Sequence, residues 1–197
     1  MSASYRIMYR LGFIPWEHTE PPEPLTALIE GPDALPPGDM LDIGCGTGHD
    51  AIYAARHDWN VTGVDIVPRA LERARRNARA AGAAVRFLEA DISQAGHGEV
   101  GVGYTLLLDG GCLHGLTPAR LGRAAAALTE VAKPGAVLLM LAFAPGRRGP
   151  APRGIDPAQV PALFAGWDLA FSRPVTDMNL SGVARNASPS WHQLVRR

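Results

Sequence analysis

The sequence has few cysteines, no excess of charge and no long apolar run. Its 197 residues include only 2 cysteines, which are too few for a disulfide framework and are typical of a reducing compartment. The 19 basic and 19 acidic side chains give a formal net charge of +0, so no overall field attracts the chain to nucleic acid or to an anionic lipid surface. We therefore expect no nucleic-acid partner.

Membrane and metal partners are not expected either. No apolar stretch approaches the roughly 20 residues of a bilayer-spanning helix, and the N-terminus lacks the apolar core of a signal peptide. His97, His114 and His192 are isolated, and no cluster of Cys, His and acidic residues has the spacing of a metal site. The expectation is a metal-independent cytoplasmic protein, a monomer or homodimer whose partner is a small molecule.

Residues 1–39 differ from the rest of the chain by their many prolines. Only residues 25–30 have the pattern of a short helix, and Gly31 ends it. We predict an N-terminal lid or arm here, attached to a domain over residues 40–197, with a single domain overall.

From residue 40 onward, strand-like and helix-like patterns alternate. The predicted strands are residues 40–43, 60–64, 85–88, 104–108, 136–142, 167–172 and 191–196, and the predicted helices are residues 49–57, 68–81, 118–132 and 156–165. This alternation predicts an α/β fold with a mostly parallel, seven-stranded sheet and helices on both faces. The last two strands are expected to form an antiparallel C-terminal edge hairpin.

A glycine-rich segment, LDIGCGTGHDA at residues 41–51, joins the first strand to the first helix. Gly44, Gly46 and Gly48 permit a tight turn and a close approach of the backbone to a ligand. Open α/β sheets bind ligands at such a turn, beyond the carboxyl end of a strand. A dinucleotide fingerprint would need a sixth-position glycine where the chain has His49, so the spacing argues against NAD or FAD.

The G-C-G-T-G pattern, preceded by Asp42, resembles motif I of the class I S-adenosylmethionine-dependent methyltransferases. The resemblance continues at Asp65 and Asp91, which follow the second and third predicted strands. It implies a Rossmann-like fold, S-adenosyl-L-methionine as cofactor and S-adenosyl-L-homocysteine as product. The implied cofactor-binding residues are Asp42, Gly44, Cys45, Gly46, Thr47, Gly48, Asp65, Ile66, Asp91, Ile92, Asp109 and Trp16.

The strand-end acids have different expected partners in this set. Asp65 is placed to accept hydrogen bonds from both hydroxyls of a ribose. By the resemblance, Asp91 receives the adenine amino group between Ile66 and Ile92, and Asp42 lies near the ammonium of the methionine part. Aspartates also begin turns after strands, but their register with the glycine turn favours ligand binding.

The segment LLLDGGCLHGL at residues 106–116 carries the candidate catalytic residues, Asp109 and His114. It resembles the D-x-G-x-x-H pattern of the thiopurine and tellurite-resistance methyltransferases. Gly110 and Gly115 depart from that group, which often has arginine and histidine there, so the group's acceptor specificity does not transfer. His114 is either a positioned base or a hydrogen-bonding strut.

A proline–tryptophan pair before the glycine turn resembles the segment that closes the donor pocket in the same enzymes, with Trp16 as the candidate lid residue. Plain packing is the alternative for Trp16, and solvated loop charges are the alternative for the arginines of the loop at 145–154. The candidate substrate-binding residues are Phe13, Trp16, His18, Cys112, His114, Arg147 and Arg153.

Three functions stay open. The leading one is transfer of a methyl group, by in-line displacement, to a sulfur, nitrogen or oxygen nucleophile of a small molecule. The alternatives are a non-catalytic S-adenosylmethionine-binding protein and a methyltransferase that acts on RNA or protein. The neutral charge and the short strand-end loops argue against the last.

Overall fold

The structure, a computed structural model, describes residues 7, 20–94, 97–146, 153–175 and 188–197. The strands are β1 (Asp39–Ile43), β2 (Asn60–Asp65), β3 (Val85–Glu89), β4 (Tyr104–Asp109), β5 (Ala132–Phe143), β6 (Trp167–Pro174) and β7 (Pro189–Arg196). The helices are α1 (Glu23–Glu30), α2 (His49–Ala55), α3 (Pro68–Ala81), α4 (His97–Val100), α5 (Pro118–Val131) and α6 (Val160–Leu163).

All seven strands form one sheet in the order β3-β2-β1-β4-β5-β7-β6. The first five strands pair in parallel, and β7 pairs antiparallel with both β5 and β6. The predicted fold, a mostly parallel seven-stranded sheet with an antiparallel edge hairpin, is confirmed. Because β1 lies between β2 and β4, the carboxyl ends of these three strands meet at one edge.

Two apolar layers cover the two faces of the sheet. Successive residues of β4 alternate between them, because side chains along a strand point to opposite faces. Leu107 packs in the layer that contains Leu128 of α5, whereas Leu106 packs with Leu25 of α1 on the other face. These four leucines are completely buried, so the sheet is enclosed on both sides as parallel sheets require.

Several predicted boundaries need correction. The predicted helix at 156–165 is instead a 3-10 turn, Pro157–Gln159, followed by the short α6. Pro161 explains the break, because it has no N–H to donate to a carbonyl one turn earlier. β5 begins at Ala132 rather than at residue 136, since Ala132 pairs with Tyr104 before an irregularity in the ladder.

Other helices are longer or shorter than predicted, or have no predicted counterpart. The helix predicted at 25–30 begins at Glu23, with Pro24 in its first turn, and the helix predicted at 49–57 ends at Ala55. The short helix α4 had no signal in the sequence. Among the described residues, none of the helices has the length and apolar character of a bilayer-spanning segment.

The edge strand β6 is irregular and mostly exposed. Its pairing with β7 shifts register between Leu169 and Phe171. The guanidinium of Arg173 lies 4.4 Å from the centre of the Phe171 ring, and Pro174 ends the strand. The outer edge of the sheet therefore ends in a short, bulged strand.

The central position of β5 leads to a stability prediction. Leu138 is 0% exposed, so Leu138→Ala should lower the free energy of unfolding by about 2–5 kcal/mol through lost burial and a cavity. Leu169→Ala on β6 is the matched control, because Leu169 is 37% exposed and should cost less than about 1 kcal/mol. Urea unfolding measures both, and equal losses would contradict this description of the core.

Candidate active site

The glycine turn between β1 and α2 leaves no room for side chains. Gly44 and Gly48 have φ angles of +70° and +82°, in the left-handed region that suits glycine. A Cβ atom on Gly44 would lie 2.7 Å from the Cβ of Cys112, and one on Gly48 would lie 2.9 Å from the Phe87 ring. The turn is therefore packed against both neighbouring parts of the sheet edge, the loop after β4 and the end of β3.

Asp65, the last residue of β2, holds the centre of this turn. Its Oδ2 accepts a hydrogen bond from the Gly46 N–H at 3.0 Å, and its Oδ1 accepts one from the Val67 N–H at 2.8 Å. Burial raises the pKa of this carboxyl, and the backbone donors oppose the rise. The N–H of Ile66 also stabilises the charged form. A carboxylate has about four acceptor positions, so capacity for a hydroxyl donor remains. This arrangement suits a ribose hydroxyl at the turn.

Asp91 follows β3 and is closely surrounded by donors. Its Oδ1 accepts from the N–H and the hydroxyl of Ser93 at 3.0 and 2.7 Å. Its Oδ2 accepts from the Gln94 side-chain amide at 2.8 Å and forms an ion pair with Arg120 of α5. Burial alone would raise the pKa of Asp91, but the Ser93 hydrogen bonds and the Arg120 guanidinium outweigh it and lower the pKa.

The other predicted donor residues lie around the same edge. Asp42 is buried near the end of β1, and Thr47 is buried in the turn, where its carbonyl accepts from the Asn77 amide at 3.0 Å. Ile92 is buried beside Asp91, and Ile66 is half-buried beside Asp65. The isoleucines therefore supply apolar surface next to both strand-end acids.

Asp109, the last residue of β4, is completely buried. Its Oδ1 accepts from the N–H groups of Gly111, Cys112 and Leu113 at 3.3, 2.6 and 3.2 Å. Burial raises the pKa of Asp109 to about 7, although these backbone donors oppose the rise. The side chain closes the loop that leads into the 3-10 turn Leu113–Gly115.

His114 lies in that 3-10 turn and connects it to two other segments. Its Nδ1 accepts from the backbone N–H of Phe143 at 3.1 Å, and its carbonyl accepts from the N–H of Gly154 at 3.0 Å. The imidazole also packs on the Phe143 ring at a centroid distance of 4.6 Å. Because Nδ1 is an acceptor, the neutral ring carries its proton on Nε2.

The two cysteines lie on opposite sides of the glycine turn. Burial raises the pKa of both the Cys45 and the Cys112 thiols. Thiols with raised pKa values are weak nucleophiles. Cys45 packs near Gly63, whereas the partly exposed Cys112 packs where the loop after β4 meets Gly44.

Four predicted substrate residues, Phe13, Trp16, His18 and Arg147, lie outside the described residues. Arg153 lies next to Gly154, whose N–H donates to the His114 carbonyl. Arg153 is exposed, and its carbonyl accepts from the N–H of Gly146 at 3.4 Å. The ranges 20–94, 97–146, 153–175 and 188–197 contain no group of three or more side chains placed to hold a metal ion.

Two residues near the site had no signal in the sequence. Arg120 pairs with Asp91 across 29 residues of chain, a contact that no local pattern indicates. Asp50, in the first turn of α2, is buried, and its Oδ2 lies 4.0 Å from where a Cβ on Gly110 would be. Each arrangement depends on how a helix packs against a loop at the edge of the sheet, which the local sequence does not indicate.

The comparisons with known proteins agree with this geometry. A protein family described as a methyltransferase domain matches residues 40–135. A structure from work on the conversion of a disulfide bond into a thioacetal group during echinomycin biosynthesis superposes with a TM-score of 0.76 at 25% identity, covering 100% of this chain and 93% of that one. The 1,6-didemethyltoxoflavin-N1-methyltransferase of Burkholderia thailandensis, with bound S-adenosylhomocysteine, gives 0.74 at 22% identity, covering 99% and 86%.

Among curated relatives, the 2-heptyl-1-hydroxyquinolin-4(1H)-one methyltransferase of Mycobacteroides abscessus is 30% identical over 152 residues, which are 76% of this chain and 64% of that protein. Shorter stretches resemble methyltransferases of ribosomal RNA and of proteins. The chain spans about half or less of the length of several curated relatives that it matches, 17%, 49% and 31% in three cases.

The parallel sheet and the glycine turn at its carboxyl edge define a Rossmann-like nucleotide-binding protein. Together with the family match over residues 40–135, they confirm the predicted resemblance to the class I S-adenosylmethionine-dependent methyltransferases. The cofactor of this family is S-adenosylmethionine.

The packing of the glycine turn predicts a strong effect of one methyl group. Gly44→Ala should weaken binding of S-adenosylhomocysteine at least about tenfold, because the new Cβ displaces the loop at Cys112. Gly82→Ala is the matched control, since Gly82 has a similar φ of +64° but nothing within 4 Å of the added Cβ. Both variants carry the same backbone strain, and calorimetric titration separates them. Equal affinities would contradict a ligand site at this turn.

The buried Asp109 predicts a dependence of stability on pH. Its pKa is about 7 in the folded protein and near the usual 3.8 when unfolded, so its contribution to stability is present below pH 4 and is lost as the pH rises through 7. Relative to Asp109→Asn, which does not titrate, the protein should lose a few kcal/mol between pH 4 and pH 8, at about 1.4 kcal/mol for each unit of pKa. Urea unfolding at several pH values measures the difference, and parallel curves would contradict the prediction.

Proposed function

We propose that this protein transfers the methyl group of S-adenosylmethionine to a sulfur, nitrogen or oxygen nucleophile of a small molecule and releases S-adenosylhomocysteine. The observation that carries the proposal is the open backbone after β4. Gly110 is exposed and Gly111 is half-buried, directly beside the turn that packs on Cys112. Because Gly110 and Gly111 have no side chains, they do not obstruct an acceptor that approaches the glycine turn there.

The residues of the edge fit the proposed donor. Gly44 and Gly48 keep the turn packed on Cys112 and Phe87 with no side chains of its own at these positions, and the carboxylate of Asp65 retains acceptor capacity for a ribose hydroxyl. Asp91 lies one strand further out, where the adenine would extend, and Asp42 is the buried acid nearest to the start of the turn. When bound, S-adenosylmethionine supplies a methyl group on a sulfonium, which a nucleophile displaces in line.

In this proposal, Asp109 and His114 position the loop after β4, where the acceptor binds. The carboxylate of Asp109 is fully buried and already accepts the N–H groups of the loop, so it orders the loop. The Nδ1 lone pair of His114 is occupied by the Phe143 N–H, which leaves its Nε2–H as a donor. This arrangement favours acceptors that attack with a lone pair or as an anion, without a protein base.

Support for a small acceptor comes from the extent of the similarities. The match to the quinolone methyltransferase covers 76% of this chain, whereas the matches to the ribosomal RNA and release-factor enzymes cover 39% and 40%. The net charge of +0 also gives no general attraction to RNA. A cytoplasmic location and a monomeric or homodimeric state remain part of the proposal.

The experiment is a methyl-transfer assay that measures S-adenosylhomocysteine by mass spectrometry across thiols, heteroaromatic amines, hydroxyquinolines, phenols, RNA and proteins. We expect turnover with at least one small-molecule class. Asp65→Ala should reduce both donor binding and turnover at least about tenfold through loss of charge-assisted hydrogen bonds.

Asp168→Ala is the matched control, because this exposed acid lies on β6, away from the glycine turn, and should leave the rate unchanged. Turnover confined to RNA or protein would replace the small-molecule proposal. Donor binding without turnover on any acceptor would favour a non-catalytic protein.

A further inference from the structure

The carboxylate of Asp91 has all of its acceptor positions occupied. About four hydrogen bonds are the usual capacity of a carboxylate. The Ser93 N–H and hydroxyl, the Gln94 amide and the Arg120 guanidinium supply four donors. An adenine amino group can therefore bind Asp91 only if one of these donors leaves.

Three of the donors are held in place by other contacts. Ser93 is buried, its hydroxyl also receives the Nε–H of Arg120 at 3.0 Å, and its carbonyl receives the Nε–H of Arg123 at 3.2 Å. The Arg120 side chain is only 19% exposed, and it contacts both Asp91 and Ser93. This network fixes one side of the carboxylate to helix α5.

The Gln94 side chain is the exception. It is exposed, and within the described residues its amide has one side-chain hydrogen bond, to Oδ2 of Asp91 at 2.8 Å. A primary amide and the exocyclic amino group of adenine are both planar –NH₂ donors, so they can use the same acceptor position. Gln94 is the donor that a ligand displaces at least cost.

The position of Asp91 in the sheet matches the reach of an adenosyl group. Asp65 and Asp91 follow β2 and β3, which are adjacent strands and therefore lie about 4.8 Å apart. Asp91 is therefore within reach of a base whose ribose is held at Asp65, and its side chain retains 22% exposure. Ile66 and Ile92 follow the two acids in the chain and are half-buried and buried.

We propose that the side-chain amide of Gln94 competes with the adenine amino group of the donor for Oδ2 of Asp91, and that Arg120 is the positioning residue that holds this carboxylate for either partner. The inference rests on the proposed donor site at Asp65 and Asp91. It assigns to Gln94 a role in setting donor affinity and to Arg120 a role in recognising the base.

Calorimetric titration of the full chain with S-adenosylhomocysteine tests both roles. Gln94→Met keeps the length of the side chain without its amide and should tighten binding about two- to fivefold, the worth of one solvent-exposed hydrogen bond. Arg120→Met should weaken binding about tenfold, because the carboxylate loses its charged partner. Arg79→Met is the matched control, since Arg79 is exposed in the last turn of α3, outside the Asp91 network, and it should change affinity less than about twofold.

A second ligand distinguishes competition from a general structural effect. The analogue of S-adenosylhomocysteine with purine in place of adenine has a hydrogen at C6 instead of the amino group, so it has no base N–H to donate to Asp91 and keeps N1 as an acceptor. Gln94→Met and Arg120→Met should leave its affinity within about twofold of the unaltered protein. Circular dichroism and thermal unfolding confirm that each variant is folded.

The outcomes distinguish failure of the donor site from failure of the proposed competition at Asp91. If the unaltered protein does not bind S-adenosylhomocysteine, both the donor site and this inference fail. If it binds, but Gln94→Met leaves the affinity unchanged or lowers it, only the inference fails. Equal changes for the adenosyl and purine ligands would also overturn it, because they show that the amino group is not involved.

Discussion

The parallel pairing of β1 with β2 and β4 is the constraint on which the site depends. In this register Ile43 lies opposite Val64 on one side and Asp109 on the other. Three strands therefore end at the same level, and the glycine turn, the loop after β2 and the loop after β4 converge there. The carbonyl of Val64 binds the first N–H groups of the turn, so the turn is positioned by the sheet rather than by its own sequence alone.

Three aspartates at this edge have different properties because their neighbours differ. Asp65 is buried with only backbone donors, Asp91 faces a guanidinium, and Asp109 is enclosed completely by its own loop. Burial without a cation raises the pKa of Asp65 and Asp109, whereas the donors around Asp91 lower its pKa. Residues of one type thus divide into an acid that holds the glycine turn, an ion-paired acid and an acid that orders a loop.

The strands and the glycine turn could be predicted from the sequence because their signals are local. The nearly continuous burial of β4 and the positive φ angles of the glycines follow from runs of neighbouring residues. The ion pair of Arg120 with Asp91 could not be predicted, since it depends on how α5 packs against the end of β3. The break at Pro161 was missed because a proline inside a helical pattern is compatible with either a first turn or an interruption.

The bulged strand β6 also governs how the sheet meets other molecules. An exposed edge of backbone N–H and C=O groups is a template for another strand. Here the register shift at Leu169 twists the edge, Arg173 covers Phe171, and Pro174 offers no N–H. These features make β6 a poor template for in-register pairing with another strand, so this edge of the sheet, opposite the β3 edge, resists edge-to-edge growth.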